Sequence, residues 1–154
     1  MKQIRFYQII TAVCCLLLIS CGIDKNLKKG EKFLALGEYY DAADQFKQAY
    51  TKTPSKERAS RGKIALKMAR CYDKINSTPK AIAAYRNAVR YNQASTDDRL
   101  AYARLLLKNG EYKQAEKEFR ILVDSLPGNV LARNGLKSDL RQNFQPPLNS
   151  LNSS

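Results

Sequence analysis

The residues whose types and spacing could do chemistry are four cations, Lys63, Lys67, Arg70 and Lys74, which recur at intervals of 4, 3 and 4. On a helix, side chains three and four residues apart share one face, so these four would form a basic stripe on the side opposite Ala65. Lysine and arginine in such a stripe pair with carboxylates of a ligand. An unused stripe would be mildly destabilising, because like charges four residues apart repel. The pattern indicates a surface for an acidic partner, and the alternative is a solvated helix face.

The whole chain is basic. Its 154 residues carry 27 Lys and Arg against 14 Asp and Glu, a net charge of +13. The surplus is strongest over residues 52–90, where 11 cations stand against 2 acids. A surplus of this size indicates an acidic protein or an anionic surface as the partner.

The composition argues against an enzyme. The chain has no histidine, which removes Ser-His and Cys-His nucleophile pairs, imidazole metal sites and the usual general base near neutral pH. The sequence also shows no metal-ligand spacing and no glycine-rich phosphate loop. We therefore expect no catalysis, no metal and no cofactor.

The N-terminal segment, from Met1 to Cys21, has the layout of an export signal. Lys2 and Arg5 precede an apolar stretch over residues 6–19, which is shorter than the roughly 20 residues that a permanent membrane helix needs. The stretch ends in a segment that resembles the bacterial lipobox, with Cys21 followed by Gly22. The resemblance implies that residues 1–20 are a lipoprotein signal peptide and that Cys21 is diacylated. An ordinary signal sequence is the alternative.

Processing before Cys21 would remove Lys2 and Arg5, so the mature chain would still carry most of the +13 charge. Two acyl chains on Cys21 suffice for stable membrane anchoring, where one chain is marginal. The other cysteine of the mature chain would be Cys71, so no internal disulfide could form. Cys71 has apolar neighbours, and we expect it to be a small core residue without chemistry.

A pattern of small and aromatic residues occurs three times in the chain. The first alanine that the three copies share lies at positions 42, 81 and 115. The three copies read Gly37-Glu38-Tyr39-x-x-Ala42-x-x-x-Phe46-x-x-Ala49, Ala81-x-x-x-Tyr85-x-x-Ala88 and Gly110-Glu111-Tyr112-x-x-Ala115-x-x-x-Phe119-x-x-Leu122. Alanines at these positions let two helices approach closely, and the aromatics fill the space between neighbouring pairs. Glycine at 37 and 110 suits the left-handed conformation that ends a helix.

This pattern resembles the tetratricopeptide repeat, over roughly residues 23–143. The resemblance implies an all-α, right-handed helical-repeat solenoid of about three helix pairs. Further positions that match are Gly30, Phe33, Pro54, Ala69, Tyr72, Ala103 and Pro127. The chain departs from the pattern at Asn26, Ala65 and Arg99, where a large aromatic is usual, and at Asn76, which replaces the turn glycine.

The C-terminal part should close the repeats. Residues 129–141 place apolar side chains at 132, 136 and 140 with polar residues between them, which predicts a capping helix with a polar outer face. We therefore expect a repeat domain over residues 21–143. Residues 144–154 are rich in Asn, Ser and Pro and are expected to be a disordered tail.

The resemblance also predicts which surface of the repeats carries the basic stripe. First helices of tetratricopeptide repeats line a concave groove, and the pattern puts the stripe on that side, with Arg104 and Lys108 continuing it in the third unit. Such grooves bind extended peptides. The lysine-asparagine clamp of chaperone-binding members is not reproduced here, so binding of a chaperone tail is not implied.

The layout of lipobox and repeats is similar to the N-terminal region of Bacteroidetes envelope lipoproteins, in which repeats precede a β-propeller and an OmpA-like domain. Some of these serve type IX secretion and gliding. The resemblance implies a membrane-anchored scaffold that recruits an envelope protein through an acidic or extended segment. The alternatives are an accessory lipoprotein of outer-membrane barrel assembly and, against the export signal, a basic nucleic-acid-binding repeat protein.

The expected location is the periplasmic face of the outer membrane. Gly22 after the cysteine is compatible with outer-membrane sorting, and no acidic run of the kind that directs Bacteroidetes lipoproteins to the cell surface follows Cys21. Because the anchor would hold the repeats near the bilayer, anionic lipid is a further candidate ligand, whereas no nucleic acid is expected.

Overall fold

The structure, a computed structural model, describes residues 23–125 together with Asn134, Lys137 and Arg141. Residues 23–125 form six helices and no strand. Their bounds are 23–35 for α1, Tyr39–Lys52 for α2, Arg58–Lys74 for α3, Thr78–Arg90 for α4, Thr96–Lys108 for α5 and Tyr112–Asp124 for α6.

Three predictions about the chain ends fall outside the described residues. They are the signal peptide over 1–20, the lipid attachment at Cys21 and the tail over 144–154. Within the predicted capping helix, Asn134, Lys137 and Arg141 are helical and exposed, as its polar face requires. The rest of that helix lies outside the described residues and stays a prediction.

The chain divides into two compact units after Ala94. The first unit contains α1 to α4, with α3 packed against both α2 and α4. The second contains α5 packed against α6. Consecutive helices therefore pair within each unit, as helical repeats require.

The core of the first unit is built from the small and aromatic positions of the repeat. Phe46 of α2 is fully buried in one cluster with alanines of the same helix and with Ile64 and Cys71 of α3. Leu27, Phe33 and Leu34 of α1 pack against this cluster. The prediction that Cys71 is a core residue is confirmed. Desolvation by burial, together with the nearby Glu31 carboxylate, raises the pKa of its thiol to about 11, so it stays protonated at neutral pH.

Left-handed residues end the first helix of each pair. Gly37 follows α1 with φ 76° and Gly110 follows α5 with φ 79°, which confirms the role predicted for these glycines. Asn76 takes the same conformation after α3, with φ 56°. At Gly37 the backbone N–H donates to Leu34 O at 3.1 Å and the next N–H donates to Phe33 O at 2.9 Å, so the last carbonyls of the helix are satisfied.

The second unit begins with a helix, α5, whose N-terminus is capped by side-chain hydrogen bonds. The Ser95 hydroxyl oxygen accepts a hydrogen bond from the Asp98 N–H at 3.2 Å, and the Asp98 carboxylate accepts one from the Ser95 N–H at 3.0 Å. This capping box satisfies free backbone donors at the N-terminus of α5. Ala103, Ala115 and Phe119, which match the repeat pattern, are all buried.

Candidate binding cleft

The four cations of the predicted stripe all lie on α3. Lys63, Arg70 and Lys74 are exposed, and Lys67 is partly exposed. Ala65 and Ala69 of the same helix are buried. The side of α3 that carries the cations is therefore turned away from the core, and this is the orientation that a ligand-binding surface and a solvated face share.

Lys63 and Lys67 also border a cleft of about 450 Å³ in the first unit. The cleft lies between the N-terminal part of α1, the loop after α2 and the first half of α3. Its lining is mixed: apolar side chains come from Ile23, Leu27, Pro54 and Ile64, hydroxyls from Thr53 and Ser60, cations from Lys56, Lys63 and Lys67, and acids from Asp24 and Glu57. A cleft of this composition can take an apolar side chain and hold a neighbouring carboxylate at its rim.

Lys67 is held from two sides. Its ammonium group pairs with the Glu31 carboxylate of α1, and it lies 5.7 Å from the centroid of the Phe46 ring. Both partners of the ion pair are more than a third exposed, and exposed pairs are typically worth about 1 kcal/mol or less. A ligand carboxylate can therefore compete with Glu31 for Lys67.

Another cation of α3, Arg61, stabilises the fold and does not line the cleft. Arg61 donates hydrogen bonds from Nη1 to Thr53 O at 2.7 Å and Tyr50 O at 3.2 Å, and its guanidinium lies 4.0 Å from the centroid of the Tyr50 ring. Burial alone would lower its pKa, but the interactions with Tyr50 and Tyr91 outweigh this and raise it. Arg61 thus ties α3 to the end of α2, a role that its sequence position does not indicate.

The remaining two predicted groove residues belong to the second unit. Arg104 and Lys108 are exposed and lie four residues apart on α5, so they share one helix face. The structure thus brings Lys63 and Lys67 together at one cleft. Lys56, which joins them from a loop, was missed because nothing in its sequence neighbourhood indicates where that loop packs.

Metal ligation and membrane crossing find no support in the part of the chain that the structure describes. No group of three or more His, Cys, Asp or Glu side chains there could hold a metal ion. None of the helices described is long and apolar enough to cross a membrane.

The helix pairs and the buried small and aromatic positions resemble those of the tetratricopeptide repeat. The family model of the tetratricopeptide repeat matches residues 76–140. Together with the helical architecture and a structural neighbour of the same kind, this confirms the all-α helical-repeat class predicted from the sequence. The match to this repeat also supports a role as a protein–protein interaction adaptor.

Two of the proteins that resemble this chain show the extent of the likeness. It is 32% identical over 112 residues to DnaJ homolog subfamily C member 3 of Gallus gallus, a match that covers 72% of this chain and 21% of that protein. The chain thus spans about a fifth of the length of this curated relative. The type III secretion translocator chaperone SycD of Yersinia enterocolitica superimposes with a TM-score of 0.54 at 15% identity, over 78% of this chain and 88% of SycD. At that identity the likeness concerns the fold alone.

Proposed function

We propose that this protein is a membrane-anchored adaptor on the periplasmic face of the outer membrane. Diacylated Cys21 attaches it to the bilayer, and its repeats recruit an envelope protein of a secretion assembly, with type IX secretion as the specific candidate. The partner presents an extended segment in which an apolar side chain lies next to carboxylates. The N-terminal sequence motif supports the anchor, and the similarity in layout to Bacteroidetes envelope lipoproteins supports the assembly.

The observation that carries the binding proposal is the juxtaposition of apolar and cationic side chains at one open cleft. Leu27 and Ile64 offer apolar contact, and Lys63 stands beside them, exposed and without an ion-pair partner among the described residues. A bound carboxylate at Lys63 would relieve the repulsion among neighbouring cations of α3. Burying an apolar side chain would add affinity at about 25 cal/mol per Å² of area removed from water.

The test is a mild crosslinking pull-down from native membranes, read by mass spectrometry. The bait is the full chain, compared with a variant in which Lys63, Lys67, Arg70 and Lys74 are changed to Gln. A matched control neutralises four exposed lysines that do not line the cleft, namely Lys47, Lys52, Lys113 and Lys117. The proposal expects a defined envelope protein that is captured by the parent and by the control and lost in the α3 variant.

The identity of the captured protein tests the finer proposal. Components of type IX secretion would support it, whereas barrel-assembly components would replace it with the alternative function. Equal capture by all three baits would refute binding at the cleft. The anchor is tested separately by palmitate labelling and membrane fractionation of Cys21→Ala, and full membrane retention of that variant would contradict lipid attachment at Cys21.

A further inference from the structure

A second basic surface lies on α1, on a face that the cleft does not use. Lys25, Lys28, Lys29 and Lys32 are all exposed. At 3.6 residues per turn, these four side chains fall within an arc of roughly 100°. We call them the α1 lysine face. The opposite side of α1 packs on the core of the first unit through side chains such as Leu34.

The acidic residues of α1 lie outside this face. Asp24 lines the cleft, and Glu31 pairs with Lys67 of α3. Among the described residues, none of the four lysines of the α1 lysine face makes an ion pair. Lysines three and four residues apart repel one another, so this segregation costs helix stability unless an anionic surface offsets it.

The position of the face in the chain indicates what that surface is. The described part of α1 begins at residue 23, close to Cys21. Two residues span at most about 7 Å and helical residues add about 1.5 Å each, so the face begins within about 10 Å of Cys21 and ends within about 20 Å. An acylated Cys21 would place the nearer lysines about one Debye length from the headgroups, where attraction to anionic lipid is effective.

We infer that the α1 lysine face binds the anionic headgroups of the phospholipid bilayer. The inference rests on the proposed function in one respect, because the acyl anchor supplies the proximity. The lysines themselves supply the affinity for charge. Each lysine close to an anionic membrane surface strengthens partitioning about fivefold.

The experiment measures co-flotation with vesicles of the chain from residue 21 onward, without the predicted signal peptide. Every protein carries Cys21→Ser, so acylation plays no part. The readout is the ratio of binding to vesicles of phosphatidylglycerol and phosphatidylcholine, mixed one to two, over binding to pure phosphatidylcholine. The α1 variant changes Lys25, Lys28, Lys29 and Lys32 to Gln. The matched control is the α3 variant with four cations changed to Gln, and a Lys→Arg version of the α1 face restores the charge. Circular dichroism verifies the helical content of each protein.

The α1 Gln variant should lower the ratio on the order of several hundredfold, whereas the Arg version and the α3 variant should stay near the parent. High salt should abolish the preference of the parent. A parent ratio near one, or equal losses in the α1 and α3 variants, would overturn the inference. Since acylation is absent from this assay, a failure at Cys21 in the labelling experiment is distinguishable from a failure of the lysine face.

Discussion

Replacing Gly30 by alanine tests how α1 packs on α2. A Cβ at this position would lie 2.6 Å from Cε1, 2.8 Å from Cδ1 and 3.1 Å from Cζ of the Phe46 ring. Ordinary carbon contacts are about 3.5–4.0 Å, so the ring would have to move by about 1 Å. Phe46 is fully buried, and close-packed cores leave no space for such a movement.

The expected loss of stability follows from two opposing effects. Overpacking a core typically costs about 1–3 kcal/mol, and two contacts under 3.0 Å put Gly30→Ala in the upper part of that range. Alanine is better than glycine inside a helix by about 1 kcal/mol. The free energy of unfolding should therefore fall by about 1.5 kcal/mol, with a Tm lower by roughly 5 °C.

The assay is urea unfolding of the full chain followed by circular dichroism, in a double-mutant cycle with Phe46→Leu. Because leucine is smaller than phenylalanine, alanine at position 30 should cost less in the Phe46→Leu background, with a coupling energy of about 1 kcal/mol. The reasoning would be refuted by a Gly30→Ala protein that is about 1 kcal/mol more stable, as helix propensity alone requires. Strict additivity of the two substitutions would refute it as well.

Further predictions concern three single sites. Asn76 has a left-handed φ of 56°, a conformation that glycine adopts freely and alanine does not. Asn76→Gly should therefore keep or raise the Tm, whereas Asn76→Ala should lower the free energy of unfolding by about 1 kcal/mol. Equal free energies of unfolding for the two variants in urea titrations would contradict this. The buried Nδ2 of Asn26 has no hydrogen-bond partner in the described part of the chain, so Asn26→Leu should raise the free energy of unfolding by about 1 kcal/mol, and a lower value than that of the parent would contradict it. Burial raises the pKa of Cys71 to about 11 and closes it off from solvent, so peptide mapping should find its alkylation at pH 8 more than about a hundredfold slower in buffer than in urea. Because the unfolded thiol loses its proton near pH 8.5 and the folded one near 11, Cys71 should also make stability fall as pH rises between those values, an effect that should vanish in Cys71→Ala.

The sequence predicts the fold well because the repeat fixes local chemistry. Alanine at 42, 81 and 115 and the aromatics four residues later are buried as the pattern requires. Glycine at 37 and 110 indicates a helix end, since few other residues adopt positive φ at no cost. Asn92, which follows α4 with φ 54°, was missed because asparagine adopts positive φ less regularly than glycine and so does not mark a helix end by itself.

The candidate site was less predictable, since it depends on contacts between segments far apart in the chain. Spacing along α3 placed four cations on one side of the helix, and the structure agrees. Spacing does not reveal that Glu31, on a different helix, pairs with Lys67. It also does not distinguish Arg61, which binds carbonyls at the end of α2, from Lys63, which is free to meet a ligand.

The placement of charges on α1 determines whether lipid at the α1 lysine face and an acidic partner at the cleft can bind at the same time. Asp24 and Glu31 lie roughly a quarter to a third of a turn away from the centre of the α1 lysine face, on the side that meets α3 and the cleft. A helix that rests its lysines on a bilayer therefore turns its acids, and the cleft beside them, to the side rather than onto the headgroups. Had the lysines of α1 lain on the cleft side, lipid and an acidic partner would compete for one surface. With the observed arrangement, neutralising the α1 lysine face should leave partner capture intact, and neutralising the cations of α3 should leave vesicle binding intact.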